Sequence, residues 1–130
     1  MTPSNYILEQ AEERQELLTS LHHVITGNDG SIVPGVESMM GKQMILYKER
    51  GYMKYGLSAV KAYMSLHCMP IYMNPVLHAR YAALLPDAKF QKGCINFTSS
   101  GEIPLDIISA LITDCSVISI ADMLENRKRK

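Results

Sequence analysis

Residues 51–97 decide the fold of this protein, and they read GYMKYGLSAVKAYMSLHCMPIYMNPVLHARYAALLPDAKFQKGCINF. Apolar and polar side chains alternate in three parts of this stretch. An alternation with a period of two is typical of strands that bury one face. The pattern predicts strands at Tyr52–Leu57, Ala62–Met69 and Gly93–Phe97.

Working outward, the chain on either side of these strands supplies the remaining elements. Two further strands are predicted at Glu37–Met40 and Met44–Lys48, so that the sheet region covers residues 36–97. Asn74 and Pro75 predict the cap and first residue of a short helix that reaches about Leu85. Consecutive strands joined by short links favour an antiparallel sheet.

Long helices are predicted at both ends of the chain. Apolar residues recur at helical spacing in residues 4–26 and again in residues 104–125, where a second helix after residue 117 is the alternative. We therefore predict a single α+β domain over residues 1–130. It has an antiparallel sheet of about five strands, with the N- and C-terminal helices packed on one face.

The composition limits the partners and the compartment. Formal net charge is +0, from 13 basic and 13 acidic residues, so no long-range field draws the chain to nucleic acid or to an anionic membrane. The first helix is not preceded by an apolar segment, so no signal peptide is expected, and no apolar run is expected to approach the roughly 18 to 20 residues that span a bilayer. The three cysteines, Cys68, Cys94 and Cys115, suit buried thiols in a reducing compartment. A cytoplasmic protein without a membrane segment is expected.

One face of the predicted sheet is unusually polar. If the helices cover the apolar face, the opposite one, here called the open face, carries the polar set. Aromatic rings beside a few convergent polar groups are typical of small-ligand sites. The pattern predicts a surface for a small molecule, a partner protein or a second copy of the chain, and the alternative is a solvated face. The predicted residues are Tyr52, Lys54, Tyr63, Ser65, His67, Lys92, Cys94 and Asn96.

Two members of this set allow a chemical alternative. His67 and Cys94 could pair as base and nucleophile in an enzyme. A reactive thiol requires an activating environment, and no third orienting residue is identifiable. No catalytic residue is therefore assigned, and a protein that is not an enzyme is the first expectation.

Several motifs resemble those of the YdhG-like family of small bacterial domains. They are Gly51–Gly56, Tyr63–His67, Pro70–Met73, Lys89–Phe97 and Ile103–Leu105, of which Lys89–Phe97 is the most specific. The resemblance covers about residues 35–115 and implies an α+β sandwich similar to that of frataxins. Many members carry Tyr-Gly-Met-Pro near the first strand, where this chain has Ser-Met-Met-Gly at residues 38–41.

The first helix carries the carboxylates Glu9, Glu12, Glu13 and Glu16, which helical spacing places on neighbouring turns. Carboxylate clusters suit hard cations, and the frataxin resemblance implies an iron-binding chaperone that uses such a ridge. No cofactor is otherwise expected, and a solvated helix face is the alternative. The many methionines around the strands are expected to fill gaps in the core, since no Met-x-x-Met pattern marks a soft-metal site.

Overall fold

The fold is centred on one antiparallel sheet of six strands in the computed structural model, which describes residues 1–39 and 41–128. The strands lie side by side in the order β1-β2-β3-β4-β6-β5, and every neighbouring pair is antiparallel. The strands are β1 Val33–Met39, β2 Lys42–Glu49, β3 Tyr52–Ala59, β4 Met64–Cys68, β5 Lys89–Gln91 and β6 Cys94–Phe97.

Helices precede, interrupt and follow the sheet. Two come before it, two lie between β4 and β5, and two follow β6 after a single 3-10 turn at Ser100–Glu102. They are α1 Pro3–Leu8, α2 Glu12–Asn28, α3 Met69–Met73, α4 Pro75–Leu84, α5 Leu105–Ser116 and α6 Ile120–Lys128.

The core lies between the helices and one face of the sheet. Cross-strand partners such as Tyr47 and Tyr55, or Leu57 and Leu66, point to this face together. They pack in one cluster with Leu18 and Leu21 of α2 and with buried residues of α5. The predicted α+β fold, with terminal helices on one face of an antiparallel sheet, is confirmed.

Several predicted boundaries are wrong. The sheet has a sixth strand, β5, and the first helix is broken between Leu8 and Glu12. The strand predicted at Ala62–Met69 covers only Met64–Cys68, because Met69 begins α3. The C-terminal segment is two helices, as the alternative proposed. Met40, predicted as the end of a strand, lies outside the described residues, as do residues 129 and 130.

One stretch, Leu105–Lys128, is long and apolar enough by length and composition to cross a membrane, so the expectation that no run approaches this length is wrong. In the structure the stretch is divided between α5 and α6, and Ile108, Leu111 and Ile112 of α5 belong to the core. A core helix meets the same criterion, because burial in protein and burial in lipid both require apolar side chains.

A β-bulge in β3 determines which residues reach each face near the β2–β3 turn. Tyr47 pairs with Tyr55 and Lys48 pairs with Met53, so Lys54 is an extra residue without a partner across the ladder. A bulge of this kind shifts the alternation of the strand by one residue. As a result, Met53 leaves the core face and Lys54 turns towards it.

Candidate functional site

The open face is built from two adjacent rows of cross-strand partners. One row joins Ser58 of β3, Ser65 of β4 and Asn96 of β6. The other joins Gly56, His67 and Cys94 in the same three strands. The predicted convergence of Ser65, His67, Cys94 and Asn96 on one side of the sheet is therefore present.

In the first row, side chains are linked by hydrogen bonds. Ser65 is almost fully buried, and its hydroxyl donates to Asn96 Oδ1. Asn96 Nδ2 donates in turn to Gln91 Oε1 of β5 at 3.2 Å. These bonds fix the orientation of the Asn96 amide, and its NH2 group keeps a second hydrogen for another acceptor.

In the second row, His67 lies between two possible partners. Its Nδ1 is 3.0 Å from Cys94 Sγ, and its Nε2 is 3.3 Å from Ser58 Oγ. Burial lowers the pKa of His67 and raises the pKa of Cys94. Both shifts favour the neutral forms, so the contact is that of a thiol with an imidazole. A nucleophilic thiolate requires the opposite shift in the cysteine.

Two grooves lie next to each other on this face. The larger has a volume of about 500 Å³ and the smaller about 260 Å³. Tyr63, in the loop between β3 and β4, lines both. The larger groove is lined by Ala62, Tyr63, Asp87, Lys89, Gln91, Asn96, Phe97, Thr98 and Glu102. The smaller is lined by Met39, Lys42, Met44, Ser58, Val60, Tyr63, Ser65 and His67.

The larger groove carries charges of both signs at its edge. Lys89 and Asp87 line it, and so does Glu102, whose carboxylate accepts bonds from the Thr98 backbone N–H at 2.8 Å and the Thr98 hydroxyl at 2.6 Å. Both bonds lower the pKa of Glu102, and the bond from the Thr98 hydroxyl has the larger effect. The groove thus offers one cation, two carboxylates, an oriented amide and an aromatic ring.

Two predicted residues of the open face lie on the opposite side of the sheet. Lys54 is fully buried and forms an ion pair with Asp29, with Nζ 2.8 Å from Oδ2. The bulge explains the error, because it reverses the alternation at this position. Tyr52 pairs with Glu49 across the ladder, and both residues face α6. The Glu49 carboxylate accepts from the Ala121 N–H, and the Tyr52 hydroxyl accepts from Lys128 at 3.3 Å.

Lys92 was predicted to point outward from a strand, but it occupies the turn between β5 and β6. Its φ of 55° lies in the left-handed region, which non-glycine residues adopt in turns and not in strands. Its side chain is exposed, and it lines neither of the two grooves.

Sequence reasoning missed two methionines on the open face. Met44 of β2 points to this side because it precedes Leu46, the partner of Gly56, by two residues. Met53 reaches it through the bulge. If glycine at position 56 carried a Cβ atom, that atom would lie 2.6 Å from Met44 Cε and 2.8 Å from Met53 Cε. A glycine inside a strand was the available signal, since it marks a close approach.

The acidic residues proposed as a metal site are exposed and divided by the helix break. Glu9 follows α1, whereas Glu12, Glu13 and Glu16 belong to α2. Within residues 1–39 and 41–128, no three side chains of His, Cys, Asp or Glu are grouped so that they could hold a metal ion. Arg14 is bound instead to the carbonyl oxygens of Val60 and Lys61.

Comparison with protein-family models, with curated proteins and with solved structures finds no match to this chain. The resemblance to the YdhG-like family, and the iron-binding role that it implies, stay predictions from the motifs quoted above.

Proposed function

We propose that this protein is a small binding domain without catalytic activity, and that its ligand occupies the larger groove of the open face. The observation that carries the proposal is the pairing of Tyr63 with an oriented Asn96 at one groove. An aromatic surface supplies contact area, and a fixed amide supplies direction, which is the combination that small-molecule sites use.

The lining also limits the kind of ligand. Asn96 Oδ1 accepts from Ser65 and one N–H donates to Gln91, so the second N–H of the amide is left to donate to a ligand. Lys89 adds a second donor with positive charge. The favoured ligand is a small organic molecule with a flat apolar part for Tyr63, an acceptor for Asn96 and Lys89, and a donor for the carboxylates of Asp87 and Glu102.

Non-enzymatic binding is favoured over chemistry by the state of the thiol. Cys94 is the nucleophile that the sequence offers, and its raised pKa keeps it protonated at neutral pH. His67, with its lowered pKa, does not supply the positive charge that would stabilise a thiolate.

The test is a thermal-shift screen of small polar aromatic metabolites, followed by chemical-shift mapping of any compound that raises the melting temperature. Two variants follow, Tyr63→Ala and Asn96→Asp. The second keeps the acceptor that Ser65 needs and removes the donor. Each is expected to weaken binding about tenfold, the loss of roughly 1.4 kcal/mol that one good polar or aromatic contact supplies.

Matched controls are Tyr72→Ala, which removes an exposed ring from α3, and Asn5→Ala on α1. Both should leave the affinity unchanged. The proposal is contradicted if no compound perturbs residues of the larger groove, or if a bound compound is retained equally by all four variants.

A further inference from the structure

The two grooves of the open face adjoin along one row of the sheet. Its members are successive cross-strand partners in β5, β6, β4 and β3, namely Lys89, Asn96, Ser65 and Ser58. Residues directly opposite each other in an antiparallel pair share a face. Lys89 and Asn96 line the larger groove, whereas Ser65 and Ser58 line the smaller. The hydrogen bond from Ser65 to Asn96 therefore crosses the boundary between the grooves, and Tyr63 lines both.

Donors and carboxylates occupy different parts of the larger groove. The donors, Lys89 and Asn96, are partners in one row. Asp87 precedes Lys89 by two residues, and Glu102 is bonded to Thr98, which follows Asn96 by two. Two residues of extended chain span about 7 Å, so both carboxylates lie beyond the same side of the donor row. A ligand with an acceptor and a donor on neighbouring atoms can meet both sets.

The smaller groove adds an apolar surface beside these charges. Met39, Met44 and Val60 line it, and Met44 is 4% exposed. Thioether side chains adapt to aliphatic and aromatic shapes alike. The volume of about 260 Å³ is below the roughly 300–1,000 Å³ of sites that enclose a whole drug-sized ligand. It suits one apolar substituent of a ligand whose polar part lies in the larger groove.

We propose that the ligand is a free α-amino acid with a large apolar side chain, an inference that rests on the proposed function and specifies its ligand class. The carboxylate accepts from Asn96 and Lys89, and the ammonium group donates to Asp87 and Glu102. The side chain passes Tyr63 and packs against the methionines of the smaller groove. An α-amino acid carries an acceptor, a donor and a side chain on one carbon atom, so it satisfies all three parts of the lining.

Isothermal titration calorimetry with L-phenylalanine and its analogues tests each part of the ligand. L-Phenylalaninamide lacks the carboxylate, 3-phenylpropanoate lacks the ammonium group, and L-alanine lacks the apolar side chain. We expect each analogue to bind roughly tenfold more weakly than L-phenylalanine, because each loses one set of contacts.

Variants at the two charged edges test the orientation. Lys89→Gln should weaken L-phenylalanine binding roughly tenfold and leave L-phenylalaninamide unaffected, since the amide has no carboxylate. The matched control is Lys92→Gln in the β5–β6 turn, outside both grooves. Asp87→Asn should weaken L-phenylalanine but not 3-phenylpropanoate, with Asp106→Asn on α5 as its control. All four side chains are exposed, and melting temperatures measured without ligand check that each variant is folded.

Methyl NMR of the methionines tests the smaller groove. L-Phenylalanine should shift the methyl signals of Met39 and Met44 but not that of Met123 on α6, and L-alanine should shift none of them. The inference is overturned, and the proposed function stands, if a screened compound perturbs the larger groove but is not displaced by L-phenylalanine or L-methionine. It is also overturned if bound L-phenylalanine leaves the signals of Met39 and Met44 unchanged. If no compound perturbs the larger groove, amino acids included, the inference and the proposed function are both wrong.

Discussion

Lys54 and Asp29 form an ion pair whose side chains are 0% and 1% exposed. Removing two charges from water costs several kcal/mol for each ion, and only close geometry with further hydrogen bonds repays it. Asp29 has both. Its Oδ2 also accepts from the Tyr55 hydroxyl at 2.7 Å, and its Oδ1 accepts from the N–H and hydroxyl of Ser31. Burial alone would raise the pKa of Asp29, but the bonds from Lys54, Ser31 and Tyr55 outweigh it and lower the pKa.

We therefore predict that Lys54→Met destabilises the protein by about 3–5 kcal/mol, because it leaves the Asp29 carboxylate buried without its cation. Urea unfolding followed by circular dichroism measures the change in the free energy of unfolding. The double variant Lys54→Met, Asp29→Asn should recover part of the loss, since no uncompensated charge remains.

The matched control is Lys48→Met. Lys48 pairs with Glu37 at the surface, where both side chains are partly exposed, and such pairs contribute about 0–1 kcal/mol. If Lys48→Met and Lys54→Met lower the free energy of unfolding equally, the buried ion pair stabilises the protein no more than the exposed one.

The bulge limits what can be predicted from sequence for single residues. Alternation correctly placed Ser65, His67, Cys94 and Asn96 on one face, because β4 and β6 pair without irregularity. Alternation misplaced Lys54, because the extra residue in the bulge reverses the predicted face of every residue of β3 that precedes Tyr55. The partner of Lys54, Asp29, lies 25 positions earlier in a loop, and no local pattern connects the two.

At the scale of elements, α4 illustrates how local signals determine a boundary. Asn74 Oδ1 accepts from the Leu77 N–H at 3.1 Å, and Pro75 occupies the first helical position. The side chain satisfies a backbone donor that the helix itself cannot, and proline loses nothing there because its nitrogen has no hydrogen. These features were predicted from the sequence.

Asn74→Ala is expected to lower the free energy of unfolding by about 1 kcal/mol, the usual cost of losing an N-cap. Asn74→Asp, which retains the acceptor, should cost only a few tenths of that. Chemical denaturation of the two variants in parallel measures the difference. If both variants lose the same amount, the cap bond does not stabilise α4.

Elements without such signals could not be predicted. Strand β5 has three residues, which are too few for an alternation of apolar and polar side chains to be recognised. It is formed by antiparallel pairing with β6. The break between α1 and α2 lacks a proline or glycine. Side chains stabilise it instead, with Gln15 donating to the Leu8 and Gln10 carbonyl oxygens and Gln10 donating to that of Tyr6. Pattern reasoning extends one helix through such a site.

At the scale of the whole molecule, the candidate site depends on a pairing between distant parts of the chain. Strands β4 and β6 are neighbours although α3, α4 and β5 lie between them in sequence. Both rows of polar side chains cross this junction, so Asn96 and Cys94 reach Ser65 and His67 only in the complete sheet. The faces of single strands follow from alternation, but the order of strands follows from tertiary packing. The grooves could therefore not be predicted from the sequence.

Two buried cysteines lie between the sheet and the helices. Their reactivity tests whether the helices separate from the sheet only when the whole molecule unfolds. Cys68 of β4 and Cys115 of α5 are buried, with their sulfurs 3.7 Å apart across the interface between sheet and helices. The neighbouring Cys68 thiol and burial both raise the pKa of Cys115. In a Cys94→Ser variant, we expect both thiols to react with a disulfide reagent only as fast as global unfolding allows. Their labelling should therefore accelerate with urea along the slope of the equilibrium unfolding transition.

Mass spectrometry of the labelled chain resolves the two sites. In the unmodified protein, Cys94 should react first but more slowly than a free cysteine, because burial raises its pKa. Labelling of Cys115 that is fast and independent of urea would mean that α5 detaches from the sheet by itself. In that case the helical layer would not be a fixed support for the open face, and the geometry of both grooves would vary with the motion of α5.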